Sequence, residues 1–374
     1  MKRTIVFALF ACLCIVAVLA AFGGGPGSLG RYIGTADPLL VVGLAAAALA
    51  LAAFLASLVT GDHSWVDRLW STAPVAFAWY YAARGWGNWK VLAAALVVTA
   101  WGARLTFNFA RKGGYSGTED YRWPILRQRI PSLAAWQAFN LLFISAFQVG
   151  VLALITLPIY ALLRPAGEAS AAGSVGFAAL LVVFLGMLGL ETAADEQQWR
   201  FHRAKRLAAE RKPFPGRFKQ DVARGFTATG LFRHSRHPNY FGELAQWWCL
   251  AFAAWCVSGG VPWFLAGGVV LTAVFAGSVA FTEALSAAKY RAYRTFQERV
   301  SAVVPWFGTI DGKTADGKTG DGKAGDRKAI NGKSVDRKSA GRKTTDRITA
   351  NRKTSTRKGP SRPRRAVAGG DRSV

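Results

Sequence analysis

Long apolar stretches alternate with short polar segments over the first 300 residues of the chain. A helix needs about 20 apolar residues to cross the hydrocarbon core of a bilayer. Two of the stretches, at 71–83 and 244–257, are short for a straight crossing. The pattern predicts an all-α, polytopic helical integral membrane protein with about 8 transmembrane helices, at residues 5–22, 38–60, 71–83, 91–109, 135–160, 175–194, 244–257 and 262–281.

The first apolar stretch has two interpretations. A basic start, Met1-Lys2-Arg3, followed by an apolar run is typical of a retained transmembrane helix and also of a signal peptide. We predict a retained helix, because the rest of the chain carries further apolar stretches. The chain then divides into an N-terminal transmembrane helix with its loop (1–37), a membrane domain (38–307) and a C-terminal tail (308–374).

The tail differs sharply in composition from the rest of the chain. Hydrophobic residues make up 52% of the whole sequence, but residues 311–374 hold 19 Lys/Arg against 7 Asp/Glu and no aromatic residue. From Asp311 a five-residue unit repeats ten times, with lysine at its third position except at Ile348. A period of five matches neither a helix nor a strand, so we predict a disordered tail.

Two roles are open for this tail. It is either a simple solvated extension or an electrostatic contact for anionic lipid headgroups. Nucleic acid is a poorer partner, because no aromatic side chains are interleaved with the charges for base stacking.

Charge also predicts the orientation of the spans. The segment 200–236 carries 11 Lys/Arg, whereas the loops predicted on the other side hold only Arg31, Arg84, Lys90 and Arg164. Basic loops stay on the cytoplasmic side. We therefore predict an integral protein of the cytoplasmic (inner) membrane, surrounded by membrane lipids, with both termini in the cytoplasm. This composition argues against a soluble enzyme, a disulfide-rich secreted domain and a β-barrel.

Ionisable residues at membrane boundaries are usually functional, and one such cluster lies at 230–243. Arg233 and Arg236 precede Pro238, which suits the first turn of a helix. The helix N-terminus and the forked arginine donors together suit a phosphate group. A positive-inside loop beside an interfacial aromatic belt is the structural alternative.

Two further clusters are found at other boundaries. Spacings of four and three place Glu191, Asp195 and Gln198 on one helical face. In the segment 117–122, Glu119 and Asp120 lie next to Tyr121 and Arg122, a combination that can donate a proton or hold a polar substrate group. The structural alternatives are a helix end emerging into water and a charged turn.

Metal and nucleotide motifs of familiar type are not found. His234 and His237 have an HxxH spacing, but the four histidines of the chain do not complete a ligand set, so no metal is predicted. The sequence contains no GxGxxG after a strand, no Walker loop and no GxSxG, so any nucleotide must be held by a non-Rossmann site.

The basic cluster resembles the signature of a known group of membrane enzymes. The sequence Arg236-His237-Pro238-Asn239-Tyr240-x-Gly242-Glu243 is similar to the RHPNYxG-[DE] block of membrane sterol reductases and of steroid 5-alpha-reductase C-terminal-like proteins. It most resembles the bacterial group known as domain of unknown function 1295. The resemblance covers roughly residues 40–307 and is supported by Asp67-Arg68-x-Trp70-Ser71, Arg104-x-x-x-Asn108, Glu119-Asp120-x-Arg122, Glu191-x-x-Ala194-Asp195-x-Gln197, Phe201, and Tyr293-x-x-Phe296 before Pro305-Trp306-Phe307.

The resemblance implies an NADPH-dependent membrane oxidoreductase acting on CH–CH bonds in lipid metabolism. Such reductases transfer hydride to an activated C=C bond of a lipophilic, often steroid-like, substrate, and a tyrosine or acid supplies the proton. Carried over by motif, the catalytic candidates are Tyr240, Glu119 and Tyr121. The candidates for holding NADPH are Arg233, Arg236, His237, Asn239, Tyr240, Glu243, Asp195 and Tyr293.

The sequence departs from the family pattern at two positions. The usual Tyr-x-x-Tyr reads Tyr293-x-x-Phe296, and the acidic pair before it is reduced to Glu283. Two other functions stay open. Isoprenylcysteine carboxyl methyltransferases have a related RHPxYxG block and bind S-adenosylmethionine, and a non-catalytic membrane protein could retain the same fold.

Overall fold

The computed structural model describes residues 35–116, 119–165 and 167–306. Within these residues the chain is helical and contains no strand, which confirms the predicted all-α class. The predicted span at 5–22, the residues Gly117 and Thr118, Phe307 and the tail at 308–374 lie outside the described residues.

The described helices follow one another with short connections. In chain order they are α1 (Pro38–Thr60), α2 (Ala73–Arg84), α3 (Trp89–Arg111), α4 (Arg122–Arg129), α5 (Leu133–Phe139), a π-helix (Asn140–Phe147), α6 (Gln148–Leu154), α7 (Leu157–Leu163), α8 (Ala171–Ala209), α9 (Lys219–Arg224), α10 (Pro238–Ser258), α11 (Ala266–Lys289) and α12 (Tyr293–Arg299), with short 3₁₀ turns at Gly216–Phe218, Gly230–Arg233 and Trp263–Leu265.

Within the part of the chain that the structure describes, five helical segments are long and apolar enough to cross a membrane. They are Pro38–Thr60, Trp89–Arg111, Leu133–Leu163, Ala171–Ala209 and Trp263–Lys289. The predicted span 71–83 contains a helix of only 12 residues, α2, and the predicted span 244–257 belongs to the longer helix α10, which begins at Pro238. The count of eight transmembrane helices stays a prediction.

Helix α8 extends well beyond its predicted apolar span. It has 39 residues, or about 58 Å at 1.5 Å per residue. Its first half exposes apolar side chains such as Val175 and Val182, whereas its second half carries the buried carboxylates Glu191 and Asp195. One helix therefore connects the apolar part of the protein with its polar end.

Close contact between α8 and α10 depends on a glycine. A Cβ atom added at Gly242 would lie 2.8 Å from the Glu191 Cβ and 3.1 Å from the Met187 carbonyl oxygen. Such distances are too short for any side chain. Pro238 lies in the first turn of α10, as predicted, with His237 at the N-cap position.

The chain after α12 is fixed against the segment before α10. The Arg236 and His237 amides donate to the carbonyl oxygens of Ser301 (2.9 Å) and Ala302 (3.0 Å), and the Trp306 amide donates to His234 O (2.8 Å). This pairing holds the Arg-His-Pro segment in a defined backbone conformation at the start of α10.

Candidate functional site

A buried ionic network joins α3 to α8. The Arg104 guanidinium lies 2.5 Å from Asp195 Oδ2 and 2.6 Å from Glu191 Oε1. Asn108, one turn after Arg104, donates from Nδ2 to Asp195 Oδ2 at 2.8 Å. Residues four apart lie on one face of a helix, which brings both pairs into register. The structure thus brings Glu191 and Asp195 together as predicted, whereas Gln198 forms no hydrogen bond to this network among the described residues.

Helix α10 adds amide groups to the same network. Gln246 donates from Nε2 to Glu191 Oε2 at 2.7 Å, and Asn239 lies with its Nδ2 3.4 Å from Asp195 Oδ1. Glu243 is also buried on this helix. We call the set formed by Arg104, Asn108, Glu191, Asp195, Asn239, Glu243 and Gln246 the polar cluster.

The polar cluster is incompletely satisfied. Arg104 Nε and Gln246 Oε1 are buried and find no hydrogen-bond partner among the described residues. An unpaired buried donor or acceptor costs about 1–3 kcal/mol. Groups that carry this cost are suited to receive polar atoms of a ligand or of water.

A second network surrounds Glu283 of α11. Its carboxylate forms a two-point ion pair with Arg236, with Nε at 2.6 Å from Oε1 and Nη2 at 2.9 Å from Oε2. Arg236 Nη1 also donates to the carbonyl oxygens of Gln297 (2.8 Å) and Val300. Most donors of Arg236 are thus occupied by the protein itself.

His237 connects this network to Tyr240. Its Nε2 lies 3.1 Å from Glu283 Oε1, and its ring stacks on the Tyr240 ring with centroids 5.2 Å apart. The Tyr240 ring in turn packs edge-on against Phe275 at 4.8 Å. The ring of Tyr240 is therefore positioned by its contacts with both His237 and Phe275.

The segment after α3 carries a third network. Glu119 Oε1 accepts the His63 amide at 2.9 Å and lies 2.9 Å from His63 Nδ1. Trp136 Nε1 donates to His63 Nε2 at 2.9 Å, so Nδ1 carries the proton that is shared with Glu119. The histidine and the glutamate are both held by protein partners.

Arg122 is fixed between two carboxylates. Its Nε lies 2.8 Å from Asp120 Oδ1, and its Nη2 lies 3.3 Å from Asp67 Oδ1. Burial alone would lower the pKa of Arg122, but the charges of Asp67 and Asp120 outweigh it and raise that pKa. Burial raises the pKa of Asp67, against the opposing effect of Arg122. Arg122 thus stays a cation.

Two tyrosines from distant parts of the sequence lie within electrostatic range of Arg122. Tyr121 is 54% exposed, yet burial is the main cause that raises its pKa, and Tyr240 is among the groups acting on it. Tyr240 also acts on Arg122. Tyr121, Arg122 and Tyr240 are therefore close enough to influence one another electrostatically.

Lys112 borders the polar cluster from the end of α3. Lys112 is exposed by its overall accessible surface. Its pKa is nevertheless lowered, mainly by partial desolvation of the ammonium group and also by the charge of Arg111, whereas the charge of Asp195 opposes this shift. No carboxylate pairs with Lys112 at ion-pair distance among the described residues. An unpaired ammonium thus lies within electrostatic reach of Asp195 and Glu191.

The predicted site residues fall into separate groups. Asp195, Asn239 and Glu243 belong to the polar cluster, and Arg236, His237 and Tyr240 are arranged around Glu283. Tyr293 is buried among aromatic rings, and burial together with Glu283 raises its pKa to about 12. Arg233 is exposed, and Glu119 is engaged by His63. The cofactor-binding and catalytic roles of these residues stay predictions.

Sequence reasoning assigned no role to several residues that complete the site. Arg104 and Asn108 occurred only in the supporting motifs, and Glu283 was noted only as a departure from the pattern. No sequence motif pointed to Gln246 or Lys112. Gln246 does follow Asn239 by two helical turns, so the two residues share a face of the helix.

Comparisons with known proteins agree with the predicted resemblance. The family model described as "Protein of unknown function (DUF1295)" matches residues 53–300. An uncharacterized protein of the yeast Schizosaccharomyces pombe is 39% identical over 258 residues, which cover 67% of this chain and 74% of the relative. No solved structure matches the chain. The chain belongs to the DUF1295 family.

Proposed function

We propose that the protein is an NADPH-dependent reductase of an activated C=C bond in a lipophilic substrate. The observation that carries this proposal is the arrangement at the start of α10. There Asn239 lies beside Asp195 of the polar cluster, and Tyr240 stacks on His237. Tyr240 is also within electrostatic range of Tyr121 and Arg122. A reductase needs a proton donor near the carbon skeleton that accepts hydride, and a phenol beside a fixed cation meets this need.

The residues present fit the groups of a dinucleotide. Asn239, whose Nδ2 is 3.4 Å from Asp195 Oδ1, offers an amide for ribose hydroxyls or for the carboxamide of the nicotinamide ring, and Asp195 would orient it. Lys112 offers an unpaired ammonium for phosphate. The orphaned Arg104 Nε and Gln246 Oε1 give further polar positions. When bound, NADPH supplies the hydride.

Arg236 fits a positioning role better than direct phosphate binding. Its guanidinium is committed to Glu283, Gln297 and Val300. Through Glu283 it also orients His237, whose ring supports Tyr240. In this proposal the Arg-His-Pro segment holds the proton donor in place, while the phosphate contacts come from Lys112.

The chain's own residues would supply the proton for an enone substrate. The Tyr240 or Tyr121 phenol would donate a hydrogen bond to the substrate carbonyl and would protonate its oxygen when the C=C bond accepts hydride. The resulting enol would tautomerise to the saturated ketone, and the phenolate would regain its proton from water. Arg122 stabilises the negative charge that develops on the phenol oxygen. Asp67 and Asp120 keep Arg122 fixed and charged during this step.

Ligand binding provides the first test. The purified full chain is heated with NADPH, with S-adenosylmethionine or with neither, and its unfolding temperature is measured. Stabilisation by NADPH alone is the expected result, because a ligand that binds only the folded state raises its stability. Stabilisation by S-adenosylmethionine alone would instead favour a methyltransferase, and no stabilisation by either would favour a non-catalytic protein.

Turnover provides the second test. NADPH oxidation is followed with a steroid enone such as progesterone as the probe substrate. Tyr240→Phe or Tyr121→Phe, whichever residue is the donor, should lower the rate on the order of a hundredfold, with NADPH binding unchanged. Tyr115→Phe, whose ring packs on Phe109 in the same segment, is the matched control and should keep the wild-type rate.

A further inference from the structure

A basic pocket lies on the side of α8 opposite to the polar cluster. It has a volume of about 510 Å³ and is lined by Ala193, Glu196 and Arg200 of α8 together with Arg217 and Gly230 of the following segment. Glu191 and Asp195 occupy the other face of the same helix, because residues four apart share a face and residues two apart do not. The pocket therefore opens on a different face of α8 from Glu191 and Asp195, and Arg111 links the two regions through Glu196 and Asn108.

The pocket continues the exposed apolar stripe of α8. Val175 and Val182 are each 69% exposed, and Glu196 follows Val182 by two steps of seven residues on the same face. From Val175 to Ala193 the helix rises about 27 Å, close to the hydrocarbon thickness of about 30 Å. Side chains at Ala193 and beyond therefore lie where lipid headgroups begin.

The charges in the pocket leave a net positive surface. Glu196 is paired with two arginines, Arg111 at 2.6 Å and Arg200 at 2.7 Å. Arg217 stacks on the Phe218 ring at 5.1 Å, and no carboxylate pairs with it among the described residues. A stacked arginine presents a planar set of donors, which matches the oxygens of a phosphate.

We propose that this pocket binds the phosphate of an anionic phospholipid. Arg217 and the free end of the Arg200 guanidinium would hold the phosphate, and the acyl chains would follow the exposed stripe of α8. The position of the pocket at the end of a lipid-facing stripe favours a lipid over a soluble phosphate. This inference does not depend on the proposed reductase activity or on the basic tail.

Lipid retention on the purified full chain tests the proposal. Native mass spectrometry measures the affinity for phosphatidylglycerol and for phosphatidylcholine with identical oleoyl chains. Phosphatidylglycerol is expected to bind more tightly. Arg217→Gln and Arg200→Gln should each weaken its binding on the order of threefold to tenfold. Arg203→Gln removes one exposed charge one turn further along α8 and should leave binding unchanged.

Several outcomes would overturn the proposal. Equal effects of Arg217→Gln and Arg203→Gln would mean that only net charge matters. Displacement of the lipid by glycerol 3-phosphate would indicate a site for soluble phosphate, and displacement by NADPH would make the pocket part of a dinucleotide site. If Arg217→Gln fails to fold, Arg217→Lys and Arg200→Gln decide, since both should still bind phosphatidylglycerol more weakly than Arg203→Gln does.

Discussion

At the scale of single residues, the arginines of this protein differ in role although they carry the same charge. Arg104 and Arg236 are buried and held by carboxylates, with side chains only 9% exposed. Arg200, Arg203, Arg217 and Arg233 are exposed. A buried charge that loses its partner is costly, whereas an exposed charge stays solvated. Substitutions therefore separate structural arginines from binding arginines.

Arg236→Ala is expected to destabilise the fold. The substitution removes the two-point ion pair with the Glu283 carboxylate and the donor to the carbonyl oxygens of Gln297 and Val300. Breaking a buried ion pair in this way costs about 3–5 kcal/mol of folding stability. Thermal unfolding in detergent measures the effect, and Arg233→Ala should unfold at the wild-type temperature. Unchanged stability combined with weakened NADPH binding would instead identify Arg236 as a direct phosphate ligand.

Lys112 should give NADPH binding a characteristic dependence on pH. Its pKa is lowered from the ordinary 10.5 by burial and by Arg111 and Arg104, while Asp195 and Glu191 oppose the shift. The ammonium is the form that binds phosphate, so binding should be strong at low pH and weaken as pH rises through this lowered pKa. Titration of NADPH affinity against pH checks this expectation.

Two variants of Lys112 give the controls for this titration. Lys112→Arg keeps its charge to higher pH, so the loss of binding should move to higher pH. Lys112→Gln should bind weakly at every pH, with a flat profile. Wild-type affinity in Lys112→Gln would exclude Lys112 as a phosphate ligand.

At the scale of elements, α8 carries most of the organisation. One face holds the carboxylates of the polar cluster, and the opposite face changes from exposed valines to the basic pocket. Helix α10 packs closely on the first face because Gly242 and the backbone of α8 are in contact. The distance between these two helices sets whether Asn239 and Gln246 reach Asp195 and Glu191.

Gly242→Ala should therefore loosen the site. The added methyl group meets the Glu191 Cβ at 2.8 Å and the Met187 carbonyl at 3.1 Å, and overpacking of this kind costs about 1–3 kcal/mol. A lower unfolding temperature and weaker NADPH binding are expected. Gly189→Ala, where nothing lies within 4 Å, should neither lower the unfolding temperature nor weaken NADPH binding, because alanine is the better helix former. Equal behaviour of the two variants would contradict this packing argument.

At the scale of the whole molecule, the basic excess and the site share one predicted side of the membrane. The segment 195–243 carries Asp195, Asn239 and Glu243 of the polar cluster, most of the pocket residues and the Arg-His-Pro segment. It is also the most basic loop of the membrane domain. Reporter fusions after Gly216 and Gly308 should read as cytoplasmic, and a fusion after Ser258 should read as external. An external signal from Gly216 would reverse the predicted orientation.

The sequence by itself determined the helical class, the family and the placement of Glu191 with Asp195. The helical class follows from the length and spacing of the apolar stretches, the family from a contiguous motif, and the placement of Glu191 with Asp195 from their spacing within one helix. All three are local properties of the chain. It also placed Pro238 in the first turn of α10, because proline is restricted to that position by its missing amide hydrogen.

Only the tertiary structure decided what those residues contact. The pairing of Arg236 with Glu283, the pairing of Arg104 with Asp195 and the hydrogen bond of Gln246 to Glu191 each join residues 47 or more positions apart. The motif showed an arginine beside a helix start, but not whether its donors face a ligand or a carboxylate. That depends on how helices pack, because packing alone sets which distant side chains are buried together.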